Sequence, residues 1–297
     1  FEEDGMIVVE GDIGLSIEDL KKEMVESNFG TRQYAHSYLV RQSKIYSISV
    51  RTTSNVPASW SNAINTAIAD WIGIPKCNIR FYRTTSTSAN ITISHNTTSA
   101  TYVARASFPD SAGNPGPTIN INPDYDHLTA AKMRWVMVHE MGHCIGMRHI
   151  NNTESGRIYI PGTPATDPLS VMHPYVKSWT GFTAGDTNAA QYLYPSSGQY
   201  VVVYENTAYS GKRWIIHEGD NESNAGRFLL NNKISSIRCY RGARVRLYQN
   251  INYAGSLKTI NNSVSNLGTL RFNDQTSSVR WLASYPQSVY LDFDDAY

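Results

Sequence analysis

Apolar positions follow two different periods along the first two thirds of the chain, and the alternation between them sets out a series of elements. Ile45-Tyr46-Ser47-Ile48-Ser49-Val50 has the period of two that predicts a β-strand. From Ala58 to Ile72, Trp60, Ile64, Ile68 and Trp71 fall on one face of a helix. Further strands are predicted at Ile79–Tyr82, Asn90–Ser94, Tyr102–Phe108 and Thr118–Asn122, and a second helix from about Thr129 to Cys144. Near the start, Ser16 serves as a helix cap, and Ile17, Leu20 and Met24 then recur at helical spacing. Residues 1–45 are expected to stand outside the core of the domain that follows at 46–197.

The passage from Tyr192 to Gly198 reads as a turn-forming linker, and beyond it the pattern repeats. Tyr204-x-x-x-x-Tyr209-x-Gly211 recurs as Tyr248-x-x-x-x-Tyr253-x-Gly255, and Asn231-Asn232-x-x-Ser235-Ser236 recurs as Asn273-Asp274-x-x-Ser277-Ser278. The segments between alternate as short strands with Gly and Asn turns. Two Greek keys packed as a small β-sandwich over residues 199–283 account for both copies. Residues 284–297 form a tail that ends Asp292-x-Asp294-Asp295.

At 297 residues the chain is long enough for two domains with separate cores. A net charge of +1 gives no reason to expect nucleic acid or an acidic membrane surface as partner. No apolar run approaches the roughly 20 residues of a membrane helix. Charged residues are only 17% of the chain, and Asn, Ser, Thr and Tyr are plentiful, a composition expected of an exported protein. The opening Phe1-Glu2-Glu3-Asp4 is acidic, so the sequence as given carries no signal peptide. A monomer is expected. Cys77, Cys144 and Cys239 leave room for one disulfide and a free thiol, or for no bond at all.

The candidate chemistry lies on the second predicted helix, in Val138-His139-Glu140-Met141-Gly142-His143-Cys144-Ile145-Gly146-Met147-Arg148-His149. His139 and His143 are four apart and share one helix face. Glu140 sits about 100° around the helix, where it reaches a metal-bound water without binding the metal. Gly146 can take positive φ, end the helix and turn the chain so that His149 arrives as a third ligand. Three neutral imidazoles with an open position suit a catalytic zinc. Cys144 points about 100° away from His143, so a buried thiol or a disulfide to Cys77 is expected of it.

The five fixed positions His139, Glu140, His143, Gly146 and His149 resemble the metzincin clan of zinc endopeptidases. Ser170-Val171-Met172-His173-Pro174 looks like that clan's methionine turn. His139-Glu140-Met141-Gly142-His143 and the short interval to Met172 resemble the bacterial group with an H-E-I-G-H core. This resemblance covers roughly residues 1–197. It implies a catalytic domain of α+β class, a mixed twisted sheet plus a zinc helix, in which Glu140 is the general base. Val9-Glu10-Gly11-Asp12 resembles the propeptide segment of the astacin family, with Val9 in place of phenylalanine. That implies a zymogen in which the Asp12 carboxylate occupies the open zinc position. The other reading of Gly11-Asp12 is a turn before a helix. Activation then requires cleavage between about Asn28 and Lys44. Astacins carry a tyrosine two residues after the methionine. Pro174 stands there in this chain, and Tyr175, one residue later, is the candidate for oxyanion stabilisation, with packing as its other role. In the metzincin fold the strand at Tyr102–Phe108 is a sheet edge, on which a protein or peptide substrate adds as an extended strand.

The duplicated second segment resembles the βγ-crystallin domain, an all-β Greek-key sandwich. Its calcium motif implies Asn231, Asn232, Ser235, Asn273, Asp274 and Ser277 as Ca2+ positions of modest affinity, since only Asp274 is charged. The function expected is therefore a secreted zinc metalloendopeptidase. The alternative is a calcium-dependent adhesive extracellular protein whose zinc domain is idle, although an idle site has no physical need for Glu140.

Overall fold

The computed structural model describes residues 32–96, 102–150 and 156–282, which divide between Pro195 and Ser196 into two compact units. Asp12, the helix expected around Ser16 to Met24 and the tail from Ser284 lie outside the described residues.

The first unit begins with β1 (Tyr34–Ala35), the one-turn α1 (Gln42–Ile45), β2 (Ile48–Thr52) and α2 (Ala58–Ile72). Then come β3 (Phe81–Arg83), β4 (Ile91–His95), β5 (Ala104–Ala106) and β6 (Thr118–Ile121). It closes with α3 (Ala130–Cys144), β7 (Met147–Arg148), β8 (Ile158–Tyr159) and α4 (Ala184–Leu193). The main sheet has the order β3-β2-β4-β6-β5. Its strands are parallel apart from β5, which runs antiparallel to β6 and is an edge. Side chains alternate across a strand, and Ile91 and Ile93, Ala104 and Ala106, and Ile119 and Ile121 are buried on one face. α2 and α3 pack against each other: Trp71 Nε1 donates to the Val138 carbonyl at 3.0 Å, and Arg134 forks onto Asp70 at 2.5 and 2.8 Å. Trp60, Ile64 and Trp71 are completely buried and Ile68 nearly so, as the helical spacing predicts.

Two expectations need correction. The strand predicted at Ile45–Val50 starts three residues later, because the Lys44 and Ile45 N–H groups both donate to Arg41 O and close a helical turn. Ile45 is completely buried at the end of that turn, and an apolar residue suits a buried turn as well as a buried strand, so its character could not distinguish them. Residues 33–45 also do not stand outside the core. Gln33, Ala35, Val40 and Ile45 are fully buried, and β1 is the central strand of a second small sheet, β7-β1-β8. Tyr34 and Ala35 pair with Arg148 and Met147 on one side and with Tyr159 and Ile158 on the other. The physical reason is that β7 would otherwise leave its backbone groups unpaired beside a buried site. The three cysteines are free thiols: Cys77 Sγ lies 3.4 Å from Ala190 O and Cys144 Sγ 4.0 Å from Thr118 O, so the alternative of a disulfide between them falls. Among the described residues no helix is long and apolar enough to cross a membrane.

The second unit is all antiparallel. β9 (Tyr200–Asn206), β10 (Ser210–His217) and β12 (Ser236–Tyr240) form one sheet, ordered β10-β9-β12. β11 (Asn221–Glu222), β13 (Val245–Asn250), β14 (Ala254–Ile260) and β15 (Ser278–Trp281) form the other, ordered β11-β15-β13-β14. β11, from the first repeat, thus pairs within the sheet of the second, as in a Greek key. The repeats match in backbone detail. Tyr209 and Tyr253 have φ of 59° and 61°, Gly211 and Gly255 of 78° and 77°, and Asn232 and Asp274 both of 52°. Tyr204 and Tyr209 meet edge to face at 5.7 Å, and Tyr248 and Tyr253 at 5.8 Å.

Candidate active site

Thr129 caps α3 and lets the helix run without interruption to Cys144. His139 and His143 therefore stand one turn apart on its inner face. Gly146 then takes φ +96°, a conformation that L side chains avoid. A Cβ there would also lie 2.8 Å from Leu39 Cδ2 and 3.0 Å from Tyr38 O. The turn sends the chain through β7, held by β1, and delivers His149 beside the other two histidines. Gly142 has a separate reason to be glycine. A Cβ there would meet Met172 Sδ at 2.7 Å, so the methionine turn rests directly on the helix between the two histidines.

The three Nε2 atoms form a triangle with sides of 2.9 Å (His143–His139), 3.1 Å (His139–His149) and 3.2 Å (His143–His149). No other group of three or more metal-ligating side chains comes together among the described residues. A triangle of this size fits one ion at the roughly 2.0–2.1 Å usual for zinc–imidazole bonds. His139 Nδ1 donates to Val171 O at 2.6 Å and His143 Nδ1 to Met147 O at 2.8 Å. Those bonds fix the tautomer and aim both Nε2 lone pairs inward. Burial pushes the His139 and His149 imidazoles well below the ordinary histidine range, and neighbouring histidines add to the effect. His143 is pushed down to about 4, again first by burial. All three are thus neutral in ordinary conditions, as metal ligands must be.

Glu140 is completely buried, on the same helix as the first two histidines. Tyr175 is half-buried; its N–H donates to His173 Nδ1 at 3.2 Å and its ring lies 5.4 Å from that of His173. The histidine and glutamate positions are legible from spacing. The Val171 and Met147 carbonyls are not, because backbone acceptors leave no mark in a sequence. Phe108, edge-on to His143 at 5.1 Å, and His36, stacked on Phe108 at 4.6 Å, were also missed; no periodicity singles them out.

In the second unit the motif residues meet across the repeat. Ser277 Oγ donates to Asn232 Oδ1 at 2.9 Å, and Ser235 Oγ to Asp274 Oδ1 at 2.8 Å. Asn273 Nδ2 donates to Asp274 Oδ2 at 2.7 Å, while its Oδ1 is buried without a hydrogen-bond partner among the described residues. Asn231 is exposed.

A buried triad of neutral imidazoles, with a buried glutamate next to the first of them on the same helix, is a donor set fit for a metal ion. The chain belongs to the dual-action HEIGH metallo-peptidase family, whose model matches residues 7–194. It is a zinc metallopeptidase followed by a crystallin-like all-β domain. Residues 197–260 match the model of peptidase inhibitor family I36. Among solved structures, a βγ-crystallin domain from Flavobacterium johnsoniae is 34% identical, covering 29% of this chain and 98% of its own, with a TM-score of 0.27. A βγ-crystallin from an archaeon is 28% identical, covering 29% and 100%, with a TM-score of 0.26. A βγ-crystallin domain from Clostridium beijerinckii is 25% identical, covering 27% and 94%, with a TM-score of 0.25. No curated protein matches the chain.

Proposed function

We propose that this protein is an exported, metzincin-like zinc endopeptidase in which His139, His143 and His149 hold the metal and Glu140 is the general base. The observation that carries the reading is the Nε2 triangle with sides of 2.9–3.2 Å, two of its corners tautomer-fixed by backbone carbonyls. Bound zinc supplies Lewis acidity, which acidifies water and polarises a carbonyl. Glu140 takes the proton of the attacking water and delivers it to the leaving amine. The surrounding burial keeps bulk water from competing with both transfers. Tyr175 is the candidate hydrogen-bond donor to the oxyanion.

An extended peptide adds along β5. Support comes from two features: β5 pairs only with β6 among the described residues, and its continuation places Phe108 edge-on to His143. Backbone pairing at that edge selects extended substrates and leaves side-chain choice to the flanking pockets. Residues upstream act as a prosegment in cis, with the Asp12 carboxylate as the blocking group. The test is hydrolysis of a quenched fluorescent peptide. Turnover that a zinc chelator abolishes and added zinc restores is expected; turnover indifferent to the chelator contradicts the assignment.

The second unit binds calcium at two sites built across the repeat. The Asn232–Ser277 and Asp274–Ser235 pairs support this, as does the orphaned Asn273 oxygen. These oxygens suit a hard cation. Replacing Asp274 by Ala removes the charged ligand, and calorimetric titration should show at least about a tenfold loss of calcium affinity at one site. Two unchanged sites would exclude the assignment. The match to an inhibitor family favours a second role for this unit, restraint of the peptidase. If so, once the upstream segment is removed, a chain ending at Pro195 turns over peptide faster than one that keeps the second unit.

A further inference from the structure

Polar side chains from three separated stretches of chain meet out of solvent beside the methionine turn. Gln33, Ser170 and Asp186 are completely buried and Asp167 is 7% exposed. Asp186 Oδ1 accepts from Ser170 Oγ at 2.6 Å and from Gln33 Nε2 at 3.0 Å. Its Oδ2 accepts from the N–H groups of Val171 and Thr183, both at 3.0 Å. Asp167 Oδ2 accepts from Thr183 Oγ1 at 2.6 Å and from Gln33 Nε2 at 3.2 Å. Ser170 Oγ also accepts from Gln33 Nε2, at 2.9 Å, and from the Met172 N–H at 2.9 Å.

Four bonds of this cluster end on Ser170-Val171-Met172, and the others tie Gln33, Asp167, Thr183 and Asp186 to one another behind it. The serine and Asp186 hold the turn's backbone on one side, and the Val171 carbonyl receives His139 Nδ1–H on the other. Gln33 is the side chain whose single amide group reaches both carboxylates and the serine. Two buried carboxylates so close together repel, and unmet acceptors in such a place are costly. The uncharged amide places N–H donors between them without adding a buried cation, while its own Oε1 is buried without a hydrogen-bond partner among the described residues.

We propose that Gln33 is a positioning residue for the zinc site: its amide locks the Asp167–Ser170–Asp186 cluster, which holds the Val171 carbonyl that orients His139. Residue 33 therefore belongs to the working peptidase. An activating cleavage falls N-terminal to Gln33 and not within the whole interval from Asn28 to Lys44. The same boundary follows independently from β1, which lies between β7 and β8 and supports the strand leading into His149. This inference rests on the zinc-peptidase reading.

The test compares the full chain with Gln33→Met, which keeps the shape and removes the donors, and with Ile45→Ala, which truncates a buried apolar side chain of the same segment. Zinc affinity is read on the full chain by competition with a chromophoric chelator, and kcat and KM on a fluorogenic peptide after the upstream segment has been removed by processing. Gln33→Met should bind zinc about 10- to 100-fold more weakly and lose kcat with KM nearly unchanged. Ile45→Ala should lower thermal stability while zinc affinity and kcat stay within about twofold of the unaltered chain. Gln33→Met behaving like the unaltered chain, or Ile45→Ala weakening zinc binding as strongly, overturns the positioning role. Should Gln33→Met not fold, mass spectrometry of the processed, active peptidase decides. A terminus at or before Gln33 supports the proposal, and an active form beginning after it overturns the proposal. An unaltered chain that neither holds zinc nor cuts peptide brings down the peptidase reading itself, and this inference with it.

Discussion

Glu140→Gln is expected to lower kcat/KM for peptide hydrolysis by about a thousandfold, within the range set by loss of a general base, while zinc content stays at the level of the unaltered protein. The amide keeps the shape of the carboxylate and its place on α3, where the side chain is completely buried. It cannot accept the proton that the attacking water must lose. Because the proposed ligand set is the three histidines without Glu140, metal analysis separates loss of the base from loss of the site. A zinc-loaded Glu140→Gln protein with near-normal turnover would exclude the assigned role. One that had lost its zinc would make Glu140 part of the metal-binding shell.

His143→Ala should have the larger effect on the metal. His143 Nε2 lies 2.9 and 3.2 Å from its two partners, so its removal leaves two ligands where a zinc site needs at least three. The vacated space also removes the aromatic contact with Phe108 and leaves Met147 O without its donor. Zinc should no longer copurify, and peptide hydrolysis should fall to background. The variant should also unfold at a lower temperature than the zinc-loaded parent, because the parent's bound metal stabilises the folded state by mass action. Retention of one equivalent of tightly bound zinc would mean that another side chain completes the site.

How far the sequence disclosed this molecule depended on the kind of interaction involved. The spacing of His139, Glu140, His143, Gly146 and His149 carries its own geometry. A helix puts i and i+4 on one face, and a glycine that must take positive φ marks the turn; the observed φ of +96° at Gly146 agrees. The duplicated Tyr and Gly corners were legible for the same reason, since each needs a special backbone conformation. The paired elements of the main sheet were found to within a few residues. The β2 start was misplaced because Ile45, buried at the end of a helical turn, is as apolar as a residue that begins a strand.

Long-range polar contacts were the part the pattern could not show. Gln33 lies 153 residues from Asp186, and an isolated Gln in a polar stretch has no periodicity to single it out. Residues 33–45 were read as separate from the core because their polar composition masked Ala35, Leu39 and Val40, all of which are buried. The carbonyls that orient His139 and His143 belong to the backbone and have no sequence signature at all.

The most direct test of the central claim is X-ray absorption at the zinc edge on the purified full chain. Three imidazole nitrogens at about 2.0–2.1 Å, with oxygen completing the shell and no sulfur, is the predicted result. A zinc–sulfur distance of about 2.3 Å, or a shell with fewer than three imidazoles, would contradict the site built from His139, His143 and His149.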